Sequence, residues 1–138
     1  MGAIEPTKDQ LEAFMAADQD EPIVMLNLLK FRAKADYPEG QAGGDVSGQE
    51  AYARYAAIAQ QKITDVGGRA LWMAPKNMMM IGDEADADWD VAAAIFYPSR
   101  AAFFKMMAMP DYQAGLVHRT AGLDHQLLVQ CPASGIGA

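Results

Sequence analysis

One cysteine, few basic residues and no long apolar run set the first limits on this chain. Cys131 has no partner of its own kind, so an intramolecular disulfide is excluded and a thiolate metal cluster lacks ligands. Lys and Arg number 11 against 18 Asp and Glu, a formal charge of −7 with a pI near 4.6. Such a surface repels phosphate backbones and anionic headgroups, so neither nucleic acid nor a membrane is an expected partner. No apolar run approaches the roughly twenty residues of a spanning helix. The longest are Ile23–Leu26, continued past Asn27 by Leu28 and Leu29, and Val91–Tyr97. Glu5 and Pro6 stand where a signal peptide needs an apolar stretch, and Pro6 occupies the Ser/Thr position of a myristoylation motif. A cytoplasmic location is the expectation. The chain has no Walker loop, dinucleotide glycine fingerprint, Gly-x-Ser-x-Gly elbow or His-Glu-x-x-His motif. Asp86, Asp88 and Asp90 alternate as in a calcium loop, but Val91 stands where that loop needs glycine, so no metal is expected.

What is present suits one globular domain. The hydrophobic fraction is 51% and the charged fraction 21%, enough apolar surface to build a core from 138 residues. The ten methionines cluster beside apolar neighbours and read as adaptable core or interface filler.

The pattern predicts an N-terminal helix from Thr7 to Ala17, opened by the capping box Thr7-Lys8-Asp9-Gln10. Ile23–Phe31 is a strand, apolar on both parities. Residues 32–46 lack periodicity and are long enough for a functional lid. Ser47-Gly48-Gln49-Glu50 caps a long helix whose apolar stripe runs through Tyr52, Tyr55, Ala59 and Ile63 and stops at Gly67-Gly68. Arg69–Ala74 is a strand that resumes after Pro75 toward Ile81, with Pro75 marking an edge or bulge. An acidic hairpin at 82–88 leads into a strand over Trp89–Tyr97. Helices follow from Pro98-Ser99 and from Asp111 to Thr120, the second stopped by Gly122. Leu123–Gln130 is the last strand.

The order after the first helix is β-α-β-β-α-β, the ferredoxin-like α+β arrangement with an antiparallel sheet and two helices on one face. We expect an N-terminal helix and lead-in over 1–22, the ferredoxin-like domain over 23–131 and a flexible tail over 132–138. Neither parity of the first or third strand is polar enough to face water, and the chain has no spare element to cover the second face. A second copy of the sheet is the economical cover, so a homodimer through sheet faces is expected.

Asn27 is an amide inside an apolar strand, and an unpartnered buried amide costs several kcal/mol. It either bonds protein groups that fix register or points into a small-molecule pocket between sheet and helices. Lys30, three residues on, faces the opposite way, with its stem buried and its ammonium in water unless an acid pairs with it. His118 sits late on the last helix, where it stabilises the negative helix end or serves as a general acid or base. Arg119 could hold a carboxylate substrate in a bidentate contact. Tyr97 and Arg100 flank a helix entry, as interface residues or an anion contact. Trp72 is core or a substrate platform.

Several segments together resemble the DUF1330 family of uncharacterised proteins. They are Val24–Phe31, Tyr37–Gly40, Gly67–Trp72, Trp89-Asp90, Tyr97–Phe103 and His118–Leu123, and the likeness runs from about Val24 to Val129. The resemblance implies the dimeric α+β barrel superfamily, in which two ferredoxin-like sheets pair into a barrel. Its relatives include cofactor-free monooxygenases, heme-degrading monooxygenases, muconolactone isomerase and chlorite dismutase, so the fold does not select a reaction. Two expectations follow. One is a cofactor-free oxygenase or isomerase acting on a small organic molecule, with Asn27 holding a substrate oxygen and His118 as base. The other is a non-catalytic module that binds a small ligand or dimerises. No cofactor is expected. Heme is the alternative, since some heme-degrading relatives use Asn, Trp and His in one pocket and Asn27, Trp72 or Trp89, and His118 supply those types.

Overall fold

A computed structural model of the chain describes residues 3–39, 43–83 and 88–135. Its elements are α1 (Lys8–Ala16), β1 (Ile23–Phe31), α2 (Gly48–Asp65), β2 (Arg69–Pro75), β3 (Val91–Tyr97), α3 (Arg100–Met107), α4 (Pro110–Gly122) and β4 (Leu123–Pro132). The strands form one antiparallel sheet in the order β2-β3-β1-β4, the ferredoxin-like topology.

Local chemistry explains the boundaries. The Thr7 hydroxyl accepts from the Gln10 amide at 3.1 Å, and the Gln10 side chain accepts from the Thr7 amide at 2.9 Å, closing the capping box of α1. Ser47 and Ser99 cap α2 and α3 by accepting from the amides of Glu50 and Ala102. Gly67, at φ +85°, supplies the left-handed stop of α2. Pro75 ends β2 on the edge of the sheet, where its missing N–H disrupts no ladder. The strand does not resume over 76–83. β3 begins at Val91, two residues later than the pattern predicts. Asp90 is held at the entry instead: its amide donates to the Leu29 carbonyl at 2.8 Å and its carboxylate accepts from the Phe31 amide at 2.9 Å. β4 runs on through Pro132, and the Ala133 amide donates to the Pro22 carbonyl at 3.0 Å. Most of the acidic hairpin (84–87), the middle of the 32–46 loop (40–42) and the last three residues lie outside the described residues.

The helices cover one face. Ile23, Met25 and Tyr97 from the sheet pack with Ala59, Met106 and Tyr112 from the helices. Each fully buried aliphatic side chain there stabilises the fold by roughly 1.5–3 kcal/mol. The strand alternation sends Val24, Leu26 and Leu28 of β1, Ala92, Ala94 and Phe96 of β3, and Leu127 and Val129 of β4 to the other face. That face is apolar and open: Leu26 is 47% exposed, Trp72 57%, and Leu127 and Val129 51% each. It contains a shallow hollow of about 230 Å³ between Leu26, Leu28, Trp72, Ala92, Leu127 and Val129. Asn27 and Ala93 also border the hollow. Strand parity places their side chains on the helix side, so they meet it as main chain. No helix among the described residues is long and apolar enough to cross a membrane.

Candidate functional site

The polar break in β1 is the start of a relay. Asn27 faces the helices between Met25 and Leu29, and its Oδ1 accepts from Gln126 Nε2 at 2.9 Å. Gln126 Oε1 in turn accepts from Arg119 Nη2 at 2.5 Å, and the same nitrogen donates to the Ile4 carbonyl. The direction of the chain is set by chemistry. A guanidinium has donors only, so the Gln126 oxygen must face it. The Gln126 amino group is then left for Asn27, and the Asn27 amino group donates to the Met25 carbonyl at 3.3 Å.

Arg119 is half-buried, and among the described residues no carboxylate pairs with it. Tyrosines of α2 and α4 stand beside it. The Tyr52 ring lies 5.3 Å from both Phe31 and Tyr55, and the Tyr55 and Tyr112 hydroxyls are 2.8 Å apart. Burial pushes the Tyr52 phenol up to about 12, against the pull of nearby Arg119. Tyr55 is driven up further, by burial first and then by Tyr112. Both phenols therefore stay protonated at neutral pH. Among the described residues the Tyr52 hydroxyl has no hydrogen-bond partner, so it is a donor in reserve beside a cation.

His118, although adjacent to Arg119, looks elsewhere, because successive helical positions diverge by about 100°. Its Nδ1 lies 2.7 Å from the Tyr37 hydroxyl. Arg54 donates to that hydroxyl at 3.0 Å and to the Gly43 carbonyl at 2.6 Å. The phenol can accept from Arg54 and still either donate to or accept from the imidazole, so the contact holds in either tautomer. His118 thus ties the 32–46 loop to α2 and α4. The structure joins Asn27 to Arg119, not to His118.

The other candidates separate. Lys30 stands on the helix-free face opposite His125, 2.9 Å from Asp88 and 3.5 Å from Asp90. The hydrogen bond that Lys30 donates to Asp88 leads the causes that raise its pKa. The Asp88 partner answers the condition under which Lys30 is more than a strand-end cation, but the charge is already matched. His125 lies 2.6 Å from Asp124 and stacks edge-on against Trp89. Trp72 rims the hollow on the helix-free face. Tyr97 is a core residue, 4% exposed, stacked on Phe103 and donating weakly to Met106 Sδ, so it has no surface left for a substrate.

Arg100 is likewise taken up by the protein. It is 6% exposed and bonds the Asp18 carbonyl at 2.7 Å, Glu21 at 2.8 Å and Gln130 at 2.9 Å, bolting the lead-in of β1 to α3 and β4. Arg100→Met should lower stability by roughly 2–4 kcal/mol, because three acceptors lose their donor at once. Urea unfolding measures it. A loss below about 0.5 kcal/mol would show that the bolt carries nothing.

Gln126, Tyr52, Tyr55 and Tyr112 are site residues that the sequence does not single out. The two α2 tyrosines are visible only as members of an apolar stripe. Among the described residues no group of three or more His, Cys, Asp or Glu could hold a metal ion.

The comparisons follow the fold. A family model described as a domain of unknown function, DUF1330, matches residues 42–130. A crystal structure of a protein of unknown function from Rhodopseudomonas palustris is 35% identical, with a TM-score of 0.86 over 96% of this chain and 97% of that one. At the level of fold alone, a Dabb family protein with a ferredoxin-like fold from Mesorhizobium loti has a TM-score of 0.52 at 12% identity, covering 83% of this chain and 99% of that one. A putative antibiotic biosynthesis monooxygenase from Bacteroides thetaiotaomicron has a TM-score of 0.50 at 13% identity, covering 88% and 97%. No curated protein matches the chain.

Proposed function

The chain belongs to the DUF1330 family, and we propose that it binds a small organic molecule through a carboxylate or enolate oxygen at Arg119, between the sheet and the helices. The observation that carries this reading is a half-buried guanidinium answered, among the described residues, by two neutral oxygens. Burying a cation is costly unless it is paired, and an anionic ligand would supply the missing charge with charge-assisted bonds. The Tyr52 hydroxyl adds a second donor, and the rings of Phe31, Tyr52 and Tyr55 offer an apolar wall for the rest of the molecule.

Binding is better supported than turnover. Arg119, Tyr52, Gln126 and Asn27 can stabilise negative charge on a ligand oxygen, the electrostatic half of oxygenase or isomerase chemistry. None of them is a base at neutral pH, and His118 is engaged on the loop side.

Titration calorimetry with benzoate as probe tests the site. Arg119→Gln should weaken binding at least tenfold, since a hydrogen bond to a charged group contributes roughly 1.5–3 kcal/mol. Equal affinity in a folded Arg119→Gln protein would end this reading.

We propose further that two copies pair through their helix-free sheet faces. β1, β2 and β4 contribute exposed apolar side chains to that face, and β3 adds the half-buried Ala92, Ala94 and Phe96. Its polar and charged groups lie at the ends as a rim would, Lys30 with Asp88 and Asp90 and His125 with Asp124 at one end, and Arg69 over the Phe96 ring at the other. An identical sheet is an apolar surface that can pair with itself about a two-fold axis.

A further inference from the structure

We infer that the segment containing Ala3 and Ile4 is a strap over the anion site, and that a carboxylate binding in the bidentate manner must displace it. This rests on the Arg119 reading above. Both hydrogens of Arg119 Nη2 are engaged, one by the Ile4 carbonyl and one by Gln126 Oε1. A guanidinium offers a carboxylate two fork-shaped edges, Nε with Nη2 and Nη1 with Nη2. Both edges use Nη2. With the strap in place an anion can take only single hydrogen bonds from Nη1 or Nε, which have no partners among the described residues. A two-point contact requires Ile4 or Gln126 to leave.

The two are not equally held. Gln126 sits in β4, paired with Leu29, and its side chain also donates to Asn27. Removing it would orphan the Asn27 oxygen and break the relay. Ile4 belongs to an exposed stretch in which Ala3, Glu5 and Pro6 all face solvent. Besides the Arg119 contact, one backbone bond among the described residues anchors the strap, from the Gln126 amide to the Ala3 carbonyl at 2.8 Å. β4 is an edge strand, so this bond can open without disturbing another ladder. The strap therefore does two things. It satisfies Arg119 when the site is empty, and it lowers apparent affinity by the fraction of time it is closed.

The test compares the full chain with an Ala3→Gly/Ile4→Gly variant, using benzoate as probe. Both glycines keep the carbonyls but favour the open segment by flexibility and by loss of the half-buried Ile4 side chain. Affinity for benzoate should rise roughly three- to tenfold in the variant. In the wild type, benzoate should speed hydrogen exchange at the Gln126 amide, because its acceptor leaves. Arg119→Gln is run alongside. If it abolishes binding while the glycine variant binds no tighter and the Gln126 amide stays equally protected, the strap inference falls and the anion reading stands. If benzoate binds none of the proteins, or binds Arg119→Gln as tightly as wild type, both fall together.

Discussion

A monomer is the expected product of Leu26→Asp. Leu26 lies at the middle of the helix-free face, opposite Ala94 on one side and Val129 on the other. In the isolated subunit it is already 47% exposed, so an aspartate there meets water and the fold is spared. In the proposed dimer the same position is covered, and two-fold symmetry buries two carboxylates among leucine and valine. Each unpaired buried charge costs several kcal/mol. The dimer dissociation constant should therefore rise by a factor on the order of a thousand or more. Sedimentation equilibrium of wild type and variant across a wide concentration range reads this directly, with circular dichroism to show that the variant is folded. A variant that remains dimeric at all concentrations, or a wild type that is monomeric throughout, would remove the sheet-to-sheet pairing.

Much of this face was legible in the sequence, and the reason is periodicity. In β1 both parities are apolar except at Asn27 and, near the strand end, Lys30, which calls for cover on both faces, and β1 spans the predicted Ile23–Phe31 residue for residue. The caps at Thr7, Ser47 and Ser99 were also legible, because capping depends on residues three apart. The site was legible only at its ends. Asn27 stands out as a polar break, and Arg119 as a late helical cation. What joins them is Gln126, which looks like any polar residue of an edge strand. Its meeting with Asn27 depends on the pairing of Leu29 with Gln126, and that register shifts at Lys30 and Phe31 through an irregularity that one sequence does not display. The choice between His118 and Arg119 fails for a similar reason. They are one residue apart on α4, so periodicity separates their directions, but deciding which one reaches the sheet needs the packing of α4 on α2.

Gly122 shows the same limit at a place where the consequence is large. Its spacing suggests a left-handed helix stop, yet it is not among the glycines with positive φ and it belongs to α4 itself. Its role is contact. A Cβ at Gly122 would lie 2.4 Å from the Gly48 carbonyl oxygen and 2.8 Å from the Tyr52 nitrogen, and one at Gly48 would lie 2.1 Å from the Arg32 carbonyl oxygen. Three backbones meet there and are tied together, the Arg32 amide to the Gly122 carbonyl at 2.8 Å and the Gly48 amide to the Arg32 carbonyl at 3.1 Å. No flexible side chain can yield, so Gly122→Ala must move α2 or α4 bodily. Overpacking that only forces side chains aside costs about 1–3 kcal/mol. A main-chain collision should cost about 3 kcal/mol or more, a large share of the 5–15 kcal/mol typical of a domain. Gly115→Ala is the comparison. Its Cβ would approach the Ile58 Cδ1 atom at 2.9 Å, the free end of a side chain that can rotate, so a loss of about 1 kcal/mol or less is expected. Urea unfolding of the two variants should therefore separate them clearly, and equal midpoints would refute the close-contact account of Gly122. A second readout ties the junction to the site. Arg119 lies one helical turn before Gly122, and the Leu123 amide closes that turn on the Arg119 carbonyl. Moving α4 should pull the guanidinium off Gln126, so Gly122→Ala should also lose benzoate affinity under conditions where it is still folded, while Gly115→Ala keeps it.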